Sequence, residues 1–191
     1  MNKLESNLKN LVLSLTSISF FMAALLGFVH SLTKKNIQEA ELKKINNAIS
    51  QVISNFNNNP FQEKIIINKD LEIYIGKKDK EITGYAVKTV SHNGFNGDIV
   101  LMVGFSPNLT INNITVIKQN ETPGLGSKMS DPKFINQFVN KNPSTFILKP
   151  QKDGGDVEAI TASTITTRAF CEAIKIAYDT LKNIKIKNYE N

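Results

Sequence analysis

From Leu11 to Leu32 the chain reads LVLSLTSISFFMAALLGFVHSL, 22 residues without a single Lys, Arg, Asp or Glu. As a helix rising 1.5 Å per residue, such a run is about 30 Å long, the thickness of a bilayer's hydrocarbon core. In lipid the backbone must satisfy its own hydrogen bonds, so a single span of this kind has to be helical. Lys3 and Lys9 precede it, as they would in a secretory signal. Signal-peptide cores are shorter, however, and no A-x-A cleavage site stands before Lys34-Lys35. The expectation is a retained single-pass transmembrane helix over residues 11–32. Orientation is not set by charge: Lys3 and Lys9 flank one end, and Lys34, Lys35, Lys43 and Lys44 the other. The positive-inside rule leaves the side open and mildly opposes export of the C-terminal part.

Composition removes several functions. The net charge of +6 comes from lysines interleaved with Glu, Asp and Asn, and Arg168 is the only arginine. Nucleic-acid readers concentrate Arg and aromatics on one face, so this charge reads as a solvated surface with no nucleic-acid partner. Cys171 stands alone, which excludes an internal disulfide and any cysteine-based zinc or iron–sulfur site; it reads as a small buried hydrophobe. His30 and His92 do not suggest a metal pair, and no metal site is expected.

Beyond the apolar run, Ile37, Leu42, Ile45, Ile49, Val52, Ile53 and Phe56 recur near helical spacing. They predict an amphipathic connector over 33–60, ending at the NNNP break and packing on its own domain or on a partner. Residues 61–191 read as a mixed domain. A short strand pair is expected in 63–81, then strands over 82–91, 98–106 and 109–120, with two Asn-Gly dipeptides in HNGFNGD marking a hairpin. A helix is expected over 131–142, with Asp131 as N-cap, Pro132 at its first position, and Phe134, Ile135, Phe138 and Val139 inward. STFILK (144–149) and VEAITA (157–162) read as strands around a DGGD turn. The last helix is expected over 166–183, packing through Ala169, Phe170, Ala173, Ile174, Ala177 and Leu181.

Just before that helix, TASTITTRA sets Thr161, Ser163, Thr164, Thr166 and Thr167 within seven positions. A hydroxyl nucleophile needs a base, and no His or Lys stands nearby; Glu158 is the one close carboxylate. Stand-alone hydrolase chemistry is therefore not expected. One threonine suffices to cap a helix, so five are more than capping requires. A helix entrance is also an anion site, and hydroxyls there with Arg168 one turn inside suit a phosphate. The residues alone leave open a plain capped helix and a phosphate site.

VEAITASTITTRAF resembles the flavinylation motif of the FMN-binding domain family: an acidic residue, two positions, Ser or Thr, then Gly-Ala-Thr and another Ser or Thr. NETPGLGSKM is similar to that family's second signature, and GFNGDIVLMVGF to its glycine-containing turn and central strand. The three segments stand in the family's order behind an N-terminal anchor. The resemblance implies an α+β fold, with one transmembrane helix followed by a mixed α/β FMN-binding domain built on an antiparallel sheet. It implies FMN held covalently by a phosphoester to Thr164, made from FAD by a separate flavin transferase. Thr161 would be the motif's first hydroxyl and Thr166 its trailing one, with Ala162, Ser163 and Arg168 around the phosphate. Glu121, Thr122, Pro123, Gly124, Leu125 and Gly126 would lie against the isoalloxazine, the glycines admitting a flat ring and Pro123 fixing the turn. Glu158, Ala162 and Ser163 replace the usual Asp, Gly and Ala. An alanine at 162 predicts an ordinary backbone with negative φ.

By the same resemblance, the chain is an electron-carrying subunit, not a stand-alone catalyst, of an Rnf-type ion-translocating ferredoxin:NAD oxidoreductase complex. Its partners would be the bilayer and the other membrane subunits. It would lie in a bacterial inner membrane, with 1–10 in the cytoplasm and the FMN domain outside. Two other readings stay in view: a tethered phosphate- or ligand-binding module without redox chemistry, and an FMN-containing sensor or regulator.

Overall fold

A computed structural model of the chain describes residues 7–189, with side chains to residue 185; Lys3 and most of the 1–10 segment lie outside them. The chain divides near residue 43 into two units. The first is helical: α1 (Leu8–Val52) begins in it and contains a stretch long and apolar enough to cross a membrane. Every large apolar side chain from Leu11 to Leu32 that would face lipid is exposed, Phe20 and Phe21 included.

The second unit begins at Lys44, within the expected connector, and is built on one antiparallel sheet in sequential order. Its strands are β1 (Ile65–Asn68), β2 (Leu71–Lys78), β3 (Glu81–Gly94), β4 (Gly97–Phe105) and β5 (Ile111–Lys118). Neighbours in sequence are neighbours in the sheet, so no crossover is needed. Period-two alternation sends Ile73, Val87, Thr89, Leu101, Val103 and Phe105 to one face, where α3 (Thr164–Tyr189) packs through Ala169, Phe170, Ala173, Ile174, Ala177 and Leu181. The opposite face presents Tyr74, Ala86 and Met102 to Ala48, Ile49 and Val52 at the end of α1 and to Ile53 beyond it. Covering on both faces explains why DIVLMVGF is apolar without alternation. At Gly104 the helix end comes so close that any Cβ would collide with the Val52 carbonyl.

On this second face Glu72 receives Lys88 at 2.7 Å, Lys64 at 3.0 Å and the Tyr74 hydroxyl at 2.8 Å. Burial alone would raise its pKa, but these hydrogen bonds outweigh it and bring the carboxyl down to about 2. The same burial and the Glu72 charge push the Tyr74 phenol up.

The stretch between β5 and α3 departs from expectation. Helix α2 covers only Pro132–Ile135, and Asp131 sits at its N-cap position without a side-chain bond. Turns follow, ending on Asn140 at φ +62. Phe134 and Phe138 still bury, forming a cluster with Phe170 at centroid distances of 5.1 to 5.4 Å, with Phe134 edge-on to both partners and Phe138 tilted against Phe170. Residues 144–149 and 157–162 are not strands; a single parallel bridge joins Pro150 to Val157. Local acceptors explain this. The Asn142 carbonyl takes the Phe146 amide at 2.9 Å, and the Asp156 carboxylate takes that of Ile147 at 2.7 Å. Side chains and turns have taken the bonds a ladder would use, and Pro143 and Pro150 bracket the segment.

Candidate functional site

Three loops converge on the N-terminus of α3. The first is the β3–β4 turn, Phe95-Asn96, closed by the Gly94–Gly97 pair. Positive φ falls on Gly97 (φ +111), after the turn, rather than on its two central residues. The second is Glu121–Gly126. The third is the turn at 160–163, which feeds α3.

Glu121 ties them together. It is 5% exposed, with one oxygen accepting the Asn96 amide at 3.1 Å and the other the Thr166 hydroxyl at 2.7 Å. Asn96 also donates to the Thr122 hydroxyl at 3.2 Å. The two glycines of the signature serve different needs. Gly124 adopts φ +76, and its amide donates to the Ser127 hydroxyl. Gly126 yields space inward: a Cβ there would meet Glu121 Oε2 at 2.6 Å and Thr166 Oγ1 at 2.8 Å. Its close approach is thus to the protein's own carboxylate.

The crowded hydroxyls separate by role. Thr166 is bound to Glu121 and fully buried. Thr167 accepts the Ile160 amide at 3.1 Å and donates to the Ser163 carbonyl at 3.0 Å, so it closes the turn that starts the helix. Ser163 is buried at the residue before α3, and Thr161 is exposed. Thr164, the first helical residue, is half-buried, and among the described residues its hydroxyl has no hydrogen-bond partner. The amides of Thr164, Ile165 and Thr166 open the first turn, where a helix leaves its donors free. Ala162 corrects the expectation from sequence: its φ is +59, the left-handed region. The turn from Ile160 into α3 requires that bend whatever residue occupies it.

These residues line a cleft of about 380 Å³. Of the expected set, Glu121, Thr122, Leu125, Gly126, Ala162, Ser163, Thr164, Thr166 and Arg168 border it. Pro123 and Gly124 stay outside, and Thr161 turns to a neighbouring cleft beside Lys128 and Glu158. Phe95, Lys152 and Ile165 join the lining without having been anticipated. Phe95 stood in the hairpin signal and Ile165 inside the hydroxyl motif; nothing in the sequence pointed Lys152 here.

Arg168 is already engaged, donating to both oxygens of Asp153 at 2.7 and 2.8 Å. The guanidinium holds the Asp153 carboxyl below the usual carboxylate range. That leaves Lys152, without an ion pair among the described residues, as the uncommitted cation on the cleft. An adjoining cleft of about 580 Å³ shares Ile165 and Arg168 and touches Cys171, whose thiol burial pushes up to about 12, far from a reactive thiolate.

A free hydroxyl, open helix amides, a cation and apolar side chains around one cleft suit a phosphorylated aromatic ligand; by this chemistry the residues fit FMN. An FMN-binding domain model matches residues 94–179, which span all three loops. The chain is 31% identical over 170 residues to the G subunit of the ion-translocating oxidoreductase complex of Vibrio cholerae, covering 81% of each chain. It is 34% identical over 161 residues to the G subunit of the same kind of complex from Haemophilus influenzae, covering 77% of each. It is 37% identical over 118 residues to the G subunit of the Na(+)-translocating ferredoxin:NAD(+) oxidoreductase complex of Acetobacterium woodii, covering 60% of this chain and 56% of that one. The crystal structure of Shewanella oneidensis NqrC is similar at 18% identity and a TM-score of 0.47 over 70% of each chain. With relatives of this identity and extent, and an FMN-binding domain that takes in both signatures and Thr164, the chain belongs to the family of G subunits of ion-translocating oxidoreductase complexes.

Proposed function

We propose that this protein is a membrane-anchored electron carrier of an Rnf-type complex, holding FMN by a phosphoester to Thr164. The observation that carries the reading is the Thr164 hydroxyl: of the threonines on this cleft it is the one at a helix start without a hydrogen-bond partner among the described residues. In the attachment, Thr164 Oγ forms a bond to the FMN phosphorus of FAD while the pyrophosphate bond breaks and AMP leaves. The hydroxyl proton goes to a base supplied by a flavin transferase, in keeping with a cleft that offers no free base of its own.

FMN, when bound, supplies electron acceptance and donation. The chain's own residues hold the phosphate and orient the ring. The open amides of α3 and Lys152, which line the same cleft, would hold the phosphate charge. Covalent attachment keeps the cofactor where free flavin is scarce, since a ligand held only by mass action is lost once its concentration falls below the dissociation constant. This supports an FMN domain on the outer side of the membrane, joined to the other subunits of the complex.

The test is in-gel fluorescence under ultraviolet light after co-expression with a flavin transferase. The wild-type band should fluoresce, Thr164→Ala should be dark, and Thr161→Ala should keep at least part of the signal, because Thr161 faces away from this cleft. Equal fluorescence of wild type and Thr164→Ala would overturn the site.

A further inference from the structure

The tip of the β3–β4 hairpin is held more firmly than its exposure requires. On one side Asn93 donates to both oxygens of Glu172 on α3, at 2.9 and 3.0 Å, and Ser91 donates to the same carboxylate at 2.6 Å. On the other, the Asn96 amide and side chain bond to Glu121 and Thr122. Between these anchors stands Phe95, 64% exposed, in a tip whose other side chains are those of His92, Asn93, Asn96 and Asp98, with Gly94 and Gly97 beside it. Its neighbours on the cleft, Leu125 at 42% and Ile165 at 47% exposure, are also apolar and also uncovered. Three large apolar side chains, from two loops and the first turn of α3, thus border one opening above a floor whose polar groups, Glu121 and Thr166, satisfy each other. A fixed aromatic side chain left in water gains free energy from any apolar group that covers it, and a second aromatic ring is a good cover.

We infer that Phe95 is the positioning residue for the flavin ring, its phenyl face supporting the isoalloxazine while Leu125 and Ile165 close the edges. The assignment rests on the reading of this cleft as the FMN site and adds the hairpin tip to it. Phe95 sets where the ring lies and how far solvent reaches it; the phosphoester bond at Thr164 does not depend on it.

The test uses the full-length protein, co-expressed with a flavin transferase and kept in detergent. It combines intact mass with flavin emission and iodide quenching. Phe95→Trp should retain the full mass gain of one FMN and lose emission several-fold, because an electron-rich indole in contact with a flavin quenches it. Phe95→Ala should retain the same mass gain and become several-fold more sensitive to iodide. Both changes with FMN fully attached support the inference. Emission and quenching identical to wild type in both variants would overturn it, as would failure of both variants to acquire FMN. A wild-type protein without FMN would instead overturn the reading of the cleft itself.

Discussion

Ala162 occupies left-handed backbone at φ +59, immediately before the buried Ser163 and the candidate acceptor Thr164. For a residue with a Cβ this conformation costs about 1–2 kcal/mol. The Ile160 carbonyl accepting the Ser163 amide at 2.9 Å and Thr167 binding the Ile160 amide hold the bend in place. Ala162→Gly should therefore stabilise the protein, by about 1 kcal/mol after the extra freedom glycine brings to the unfolded chain. Urea denaturation of the full chain in detergent, followed by circular dichroism, would show the midpoint rising; an unchanged or lower midpoint would remove strain from the account of this turn. Thr166 and Thr167, by contrast, are spent on internal bonds, which is why a run of hydroxyls leaves so few for a ligand.

Among the elements, Glu72 on β2 gives the sheet a dependence on pH. Its carboxyl lies at about 2 in the fold against an ordinary 4.5, so its contribution is whole above the ordinary value and is lost as pH falls toward 2. Because the group keeps some contact with solvent, that contribution is about 1–2 kcal/mol rather than the full linkage value. Glu72→Gln should lower stability at pH 7 and flatten its decline between pH 4.5 and 2, measured as urea midpoints across that range. A parallel decline in both proteins would place the acid sensitivity elsewhere. The strands β2 to β5 were legible from apolar, β-prone runs set between turn signals, with β4 unbroken because both its faces are covered, and α3 from a 3.6-residue period on one face. The stretch from residue 131 to 162 was not. Its amides are taken by Asn142, Asp156 and turn carbonyls, and Phe134 and Phe138 bury without a long helix to carry them. At the site, the two signatures disclosed most of the lining. Phe95 and Lys152 were hidden because they reach the cleft only through the folding of loops distant in sequence.

For the molecule as a whole, a stretch long and apolar enough to cross a membrane is joined to an FMN-binding domain, and labelling can establish on which side of the membrane that domain lies. Cys171 is buried, so an engineered surface cysteine can be read against a quiet background. With the domain outside, a membrane-impermeant maleimide should label Lys78→Cys in intact cells; labelling only after lysis would reverse the topology. The proposed role rests above all on one covalent bond, and intact-protein mass spectrometry of the chain purified from its native membrane tests for that bond most directly. The predicted result is the polypeptide mass plus one FMN phosphoester, lost in Thr164→Ala. A native protein at the bare polypeptide mass would contradict the account.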